Sequence, residues 1–262
     1  MAVAYERIAD ELRTAIRGGR LRPGDRLPAE TKLAEEFGRS VPTVREALRA
    51  LRDEGLIEKQ HGIGNFVRRP RALARRSNLR HQWEKDRARA PLERRAQTGA
   101  TEHDTGLRVG DLVFRARYRE IEATTAVAEA LGVPEGTALL RRSYRTRCTV
   151  ESAPFSLVTS YLVRDMIAGN PDLLDETKEP WPGGSQSQLH SVGIELDRVE
   201  ERVTARPPTP EEAEELELPP GTSVLVLRKV SYDTDRRAVD VTDVILPGDR
   251  TELVFTTLLE RW

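Results

Sequence analysis

The stretch that most constrains this chain is Leu21–Val67, where proline and glycine separate two short amphipathic helices and a hairpin in a fixed order. Ahead of it, Ile8, Leu12, Ala15 and Ile16 recur at three- and four-residue steps between Tyr5 and Arg17. That spacing predicts a helix with one buried stripe, stopping at Gly18-Gly19. The run Leu21-Arg22-Pro23-Gly24-Asp25-Arg26-Leu27-Pro28 reads as a rigid turn. A second helix is predicted from about Glu30 to Phe37, closed by Gly38, a residue that takes a left-handed conformation without steric cost. Ser40 is a suitable N-cap for a third helix, Pro42 suits its first turn, and Val44, Ala47, Leu48 and Leu51 form its inward stripe. After Gly55 the pattern changes to Leu56–Gln60, His61-Gly62-Ile63-Gly64 and Asn65–Val67, which predicts a β-hairpin with two glycines at its tip.

Two short helices joined by a tight turn make a helix-turn-helix, whose second helix enters the DNA major groove by its N-terminal end. Here that end presents Arg39, Ser40, Val41, Thr43 and Arg45. Arg reads guanine edges bidentately, hydroxyls hold phosphate, and Val41 suits a thymine methyl. The hairpin is then a wing, with His61 and Gly62 at its tip. A single surface Arg is ordinarily a solvated charge, and His-Gly-Ile-Gly alone is a common turn; the order of the parts carries the reading. Charge supports it. The chain has 42 Lys+Arg against 43 Asp+Glu, but residues 1–95 hold 23 against 14, and the remaining 167 hold 19 against 29. A basic first third on an acidic remainder suggests a polyanion-binding module carried by a domain of another kind.

The residues "LRPGDRLPAETKLAEEFGRSVPTVREALRALRDEGLIEKQHGIGNFV" resemble the winged-helix domain of the GntR family of bacterial transcription regulators. The resemblance implies operator contacts from Ser40, Thr43, Arg45, His61 and Gly62. One departure bears on base preference: members usually carry Arg just after the cap Ser, where this chain has Val41, and Arg39 replaces a common Val. We place this domain at residues 1–70. Residues 71–106 are Arg-rich with few large apolar side chains, and composition predicts a flexible or conditionally ordered linker, with Ser77 and Trp83 as hints of docking.

From Leu107 to the end, strand signals alternate with short helical stretches, giving an overall α+β class with a mixed α/β second domain. Strands are predicted at Val113–Arg119, Thr137–Cys148, Phe155–Val163, Glu195–Ala205, Thr222–Tyr232 and Val239–Leu246, and helices at Thr125–Gly132, Ser185–Val192 and Pro210–Leu216. Leu131, Val133, Pro134, Gly136 and Thr137 repeat as Leu216, Leu218, Pro219, Gly221 and Thr222 at an offset of 85, and each copy leads into a strand ending in Ser-Tyr. This internal duplication predicts a pseudo-twofold domain with a cleft between its halves. The segments "RTRCTVESAPFSLVTSYL", "SQSQLHSVGIELDRVEERVTA" and "RAVDVTDVILPGDRTELVF" resemble the UTRA effector domain of the HutC subfamily, which has the chorismate-lyase fold. The resemblance implies effector binding by Arg145, Arg147, Ser185 and Asp240. Arg145 and Arg147, two apart on one strand, share a face and suit a fork around one anion. Val158 and Leu246 stand where relatives carry polar groups, which favours an effector more apolar than a phosphosugar.

The remaining composition excludes several classes. No apolar run approaches the length of a membrane helix, the first twenty residues do not read as a signal peptide, and the single Cys148 forms no intrachain disulfide, so a cytoplasmic protein is expected. No metal-ligand cluster or cofactor motif is visible. The favoured reading is a repressor that binds a near-palindromic duplex DNA operator as a homodimer and responds to an unidentified small-molecule effector. Two alternatives stay open: a ligand-independent, plasmid-type repressor whose second domain only dimerises, and a chorismate-lyase-like enzyme. The enzyme is disfavoured because acid/base candidates are scarce after the linker and fold does not imply reaction.

Overall fold

A computed structural model describes residues 4–69 and 71–260. In chain order the first elements are α1 (Ala4–Arg17), α2 (Glu30–Phe37), α3 (Val41–Asp53), β1 (Ile57–Gln60) and β2 (Gly64–Val67). Then come β3 (Ala74–Ser77), α4 (Arg80–Ala88), α5 (Leu92–Ala96), α6 (Ala100–Thr105), β4 (Leu112–Glu122), α7 (Thr125–Leu131), β5 (Ala138–Cys148), β6 (Leu157–Val163), α8 (Arg164–Ile167) and α9 (Gly184–Ser191). The last are β7 (Leu196–Arg206), α10 (Pro210–Glu215), β8 (Val224–Asp233), β9 (Ala238–Pro247) and β10 (Thr251–Val254). The chain divides into two compact units. One comprises the chain up to Arg71 together with Pro207–Ser223, the other Ala72–Arg206 together with the chain from Val224 onward.

In the first unit the three helices close on a core in which Val44, Ala47, Leu48 and Leu51 of α3 are fully buried against Ile8, Leu12 and Leu33. Each such leucine contributes about 1.5–3 kcal/mol by leaving water. Arg13 of α1 donates its Nε to Glu54 Oε2 at 2.7 Å, tying α1 to the end of α3. The insert Pro207–Ser223 packs here through specific polar contacts. Arg71 donates Nη1 to the Leu216 carbonyl and Nη2 to the Glu217 carbonyl, each at 2.7 Å, which satisfies carbonyls left open at the end of α10. Leu216 is fully buried. Gly221, at φ 78°, lies so close to α3 that a Cβ would stand 2.6 Å from the Asp53 carbonyl oxygen.

The second unit is built on a six-stranded antiparallel sheet of order β4-β5-β6-β9-β8-β7. The order runs outward from a centre between β6 and β9 as two copies of one three-stranded meander, and in chain order α7 and α10 each fall between the first and second strands of a copy, although α7 packs on the sheet and α10 belongs to the first unit. The duplication read from the repeated turn is therefore present in the fold. One sheet face packs Leu139, Val163 and Val241 against α7; the other packs Leu140, Leu162 and Val239 against α8 and α9. A separate pair joins β10 to β3 in parallel.

Residues 71–106 differ from the linker that composition suggests. They carry β3, α4, α5 and α6, and from Ala72 onward they belong to the second unit. Their order comes from ion pairs rather than apolar periodicity. Arg76 meets Glu201 at 2.6 Å, Lys85 meets Glu195 at 3.0 Å, and Arg80 bridges Glu84 and Asp104. Trp83 meets His103 with ring centroids 4.3 Å apart and planes tilted by 37°, joining α4 to α6, and the Arg87 guanidinium lies 4.4 Å from the Trp83 ring centroid.

Candidate nucleic-acid interface and effector cavity

The start of α3 is set by a polar cap. Ser40 Oγ accepts from the Thr43 backbone N–H at 3.4 Å and lies 2.8 Å from Thr43 Oγ1, so both hydroxyls are held at the helix N-terminus, where the dipole favours anions. Arg39, Ser40 and Arg45 are exposed and Thr43 is half-buried. Arg45 is steered by α2, its Nε donating to Glu30 Oε2 at 2.6 Å. Val41 is partly buried and packs on the core, so its side chain is shared between the interior and the surface. His61 and Gly62 sit exposed at the tip of the β1–β2 hairpin beside Ile63, which is 54% exposed.

Two residues that sequence reasoning did not single out fix this geometry. Arg26 pairs with Phe66 in an isolated bridge and donates Nη2 to the Ile63 carbonyl, bracing the hairpin tip. Arg52 of α3 donates Nη1 to Oδ1 of buried Asn65 at 3.1 Å, which sets β2 against the third helix. The only sequence signal for the second pair was a polar Asn inside a short strand.

Within the second unit lies a cavity of about 660 Å³, large enough for a small-molecule ligand. Its sheet wall is formed by alternate residues of successive strands. One cross-strand rung is polar, pairing Arg142 with Ser160, Ser160 with Thr242 and Thr242 with Lys229; the adjacent rung pairs Tyr144 with Val158 and Val158 with Val244. Phe114, Phe155 and Leu246 extend the apolar wall, and the start of α9 with Ser185 forms another side. The remaining wall comes from α4, from Arg95 at the end of α5, and from Thr98–Thr105.

Under the polar rung, Asp240 is 1% exposed and accepts from Ser160 Oγ at 2.7 Å and Thr242 Oγ1 at 2.8 Å, with Lys229 Nζ at 3.2 Å and Arg142 at 3.9 Å. Burial opposes its charge, yet Lys229, Arg142 and the two hydroxyls together outweigh that and hold the carboxyl below its usual range. Arg142, equally buried, donates to Gln188 Oε1 at 2.6 Å and Ser160 Oγ at 2.9 Å. Glu179 accepts from the Tyr118 and Tyr144 hydroxyls, from Gln188 Nε2 at 2.9 Å and from the Trp181 backbone N–H at 2.6 Å. Burial pushes the Tyr118 hydroxyl up to about 12, so it stays protonated and donates.

Of the four residues proposed for the effector, Ser185 lines the cavity and Asp240 lies beneath its floor. Arg145 and Arg147 do not line it. On β5 the cavity takes Arg142, Tyr144 and Thr146, and the strand alternation sends the odd-numbered residues to the opposite face. Arg145 Nη1 donates to the Tyr144 and Val158 carbonyls at 2.9 and 3.2 Å, and Arg147 Nη1 to the Cys148 and Glu151 carbonyls at 3.2 and 2.9 Å. The anion fork on these two arginines is thus corrected. The cavity also sits on one face of the sheet, walled by the 74–112 segment and α9, rather than in a cleft between the two halves. Val158 and Leu246 do line it. Among the described residues no cluster of His, Cys, Asp and Glu is suited to a metal ion, and no helix is long and apolar enough to cross a membrane.

Comparison with known proteins places both units. Residues 4–67 match the family described as bacterial regulatory proteins of the gntR family, and residues 116–252 match the UTRA domain. An HTH-type transcriptional regulator of Streptomyces coelicolor is 30% identical over 95% of this chain and 90% of its own length. The histidine utilization repressor of Klebsiella aerogenes is 28% identical over 95% and 92%. The crystal structure of a GntR-family transcriptional regulator, 26% identical, superposes over 98% of both chains with a TM-score of 0.63. These relatives are regulators of transcription and not enzymes. A winged helix-turn-helix with an exposed, capped third helix, followed by a duplicated sheet domain, identifies this chain as a member of the GntR family of transcription regulators with a UTRA domain.

Proposed function

We propose that the protein is a repressor that binds a near-palindromic operator as a homodimer and is released by a small molecule held in the second unit's cavity. The observation that carries the effector half is the 660 Å³ cavity, with an apolar wall set beside a fixed polar floor. A ligand-independent repressor has no use for such a space, because unfilled volume weakens a core. The DNA half rests on the exposed Arg39, Ser40 and Arg45 around the third helix's N-terminus and on the braced hairpin carrying His61 and Gly62. Twofold symmetry of a dimer would set two such helices on half-sites one helical turn apart. Effector binding would act by its differential affinity for the DNA-competent and DNA-incompetent states. The reading puts the protein in the cytoplasm with its operator.

The test is fluorescence anisotropy of the full chain on a duplex from its own promoter, with and without a small-molecule extract of the source cells. Binding that the extract reverses supports the proposal. Tight, specific binding that no extract fraction alters would favour the ligand-independent reading.

A further inference from the structure

The cavity's charges are almost all spoken for. Arg76 is paired with Glu201 at 2.6 Å, Arg80 with Glu84 and Asp104, and Lys229 and Arg142 with Asp240. Its acceptors are equally occupied: Glu179 takes four donors, Asp240 takes two hydroxyls and two cations, and Glu102 accepts from the Gly99 backbone N–H. A polyol entering this space would find few acceptors for its hydroxyls, and Val158, Val244 and Leu246 would face them with hydrocarbon.

Arg95 is different. It lines the cavity and donates Nη1 to Ser187 Oγ, but among the described residues no carboxylate lies within ion-pair distance of it. Its Nε is buried with no acceptor, as are those of Arg76, Arg80 and Arg142, but only Arg95 among these four lacks a carboxylate; the indole Nε1 of Trp181, another lining residue, is buried without an acceptor too. Both groups are donors only, and buried donors in native proteins nearly always find a partner. Beside them α9 begins at Gly183-Gly184 with no side-chain cap. A Cβ on Gly183 would stand 2.9 Å from Ser187 Cβ and 3.2 Å from Arg95 Cδ, so this glycine lets the arginine stem lie against the helix start. A cation without a carboxylate partner and an uncapped helix N-terminus therefore meet on the cavity wall, which also carries the unpartnered indole N–H of Trp181 and, on the Tyr144–Val158–Val244 rung, hydrocarbon.

We infer that the cavity takes an apolar monocarboxylate, aromatic or aliphatic, whose carboxylate is received by Arg95 and the start of α9 and whose body lies on the Tyr144–Val158–Val244 rung. The inference rests on the effector reading above and narrows it. It also gives the Arg-rich segment a role: Arg95 comes from α5, so the ligand bridges that segment to α9.

The test is isothermal titration of the full chain with trans-cinnamate, decanoate, neutral cinnamamide and glucose 6-phosphate, repeated on Arg95→Ala, Arg95→Gln and Arg145→Ala. Arg95→Gln keeps a stem against Gly183 and removes only the charge, which guards against misfolding of the alanine variant. Cinnamate or decanoate should bind, and both Arg95 variants should weaken that binding about tenfold or more, the scale of one charge-assisted hydrogen bond. Cinnamamide should bind more weakly than cinnamate, and Arg145→Ala should bind as the parent does. Binding of glucose 6-phosphate in place of the carboxylates would overturn the inference, as would equal cinnamate binding by parent and Arg95 variants, or no binding by any probe. In each case the promoter response to cell extract would still report whether an effector exists.

Discussion

Replacing Arg142 with Met tests the buried network on which the cavity floor depends. The guanidinium is 1% exposed, donates to Gln188 and Ser160, and lies 3.9 Å from Asp240, itself 1% exposed. Removing one member of a buried charge pair typically costs about 3–5 kcal/mol, because the other charge stays buried. Here Asp240 keeps Lys229, Ser160 and Thr242, so the loss should fall near the lower end, at about 3 kcal/mol. For a unit of this size that corresponds to a fall in Tm of about 6–12 °C. Asp240→Asn should do at least as much harm, since it strands two cations, and the double variant should show a coupling of about 1–3 kcal/mol. The assay is urea unfolding at pH 7 followed by tryptophan fluorescence. Trp83 and Trp181, the tryptophans among the described residues, both lie in the second unit, so a change in their emission reports on that unit. A loss below about 1 kcal/mol for Arg142→Met, or additivity of the two substitutions, would refute the reasoning.

Other predictions follow from single features. Gly136 and Gly221 occupy equivalent turns of the two copies at φ 82° and 78°, but only Gly221 faces a backbone oxygen. Gly136→Ala should cost about 1–2 kcal/mol for the left-handed conformation alone and Gly221→Ala clearly more, as read by urea unfolding; equal losses would remove the Asp53 contact from the account. Burial opposes ionisation of Glu201, but His81 and Arg76 outweigh it and bring its carboxyl to about 2. Its stabilising contribution should therefore be complete above the ordinary glutamate range and fade as pH falls from about 4.5 toward 2, and Glu201→Gln should flatten that limb of the stability curve. Arg45→Ala should weaken operator binding by about 1–3 kcal/mol and relax preference at one base pair; uniform weakening over all sequences would make it a phosphate contact instead.

The winged-helix unit was largely legible because its packing is local: each helix has its own apolar stripe, its own stop and, for α3, its own cap. The duplicated sheet was legible for a related reason, since the repeated Pro-Gly-Thr turn marks where strands begin. Residues 71–106 were not legible, because what orders Arg76, Arg80 and Lys85 are carboxylates at Glu201, Asp104 and Glu195, and distant charge partners leave no local period. The face of β5 was misread for another reason. Leu139 and Leu140 are both buried, one on each side of a sheet covered on both faces, so alternation did not tell which parity meets the cavity. Ser185 and Asp240, to which the resemblance pointed, lie on the cavity wall and beneath its floor.

The most direct measurement is selection of the purified full-length protein on a randomised duplex library, followed by salt titration on the winning sequence. The account predicts enrichment of an inverted repeat with half-sites about one turn apart, bound with an affinity that falls linearly in log–log coordinates as salt rises. A library that emerges unenriched, or binding indifferent to salt, would contradict it.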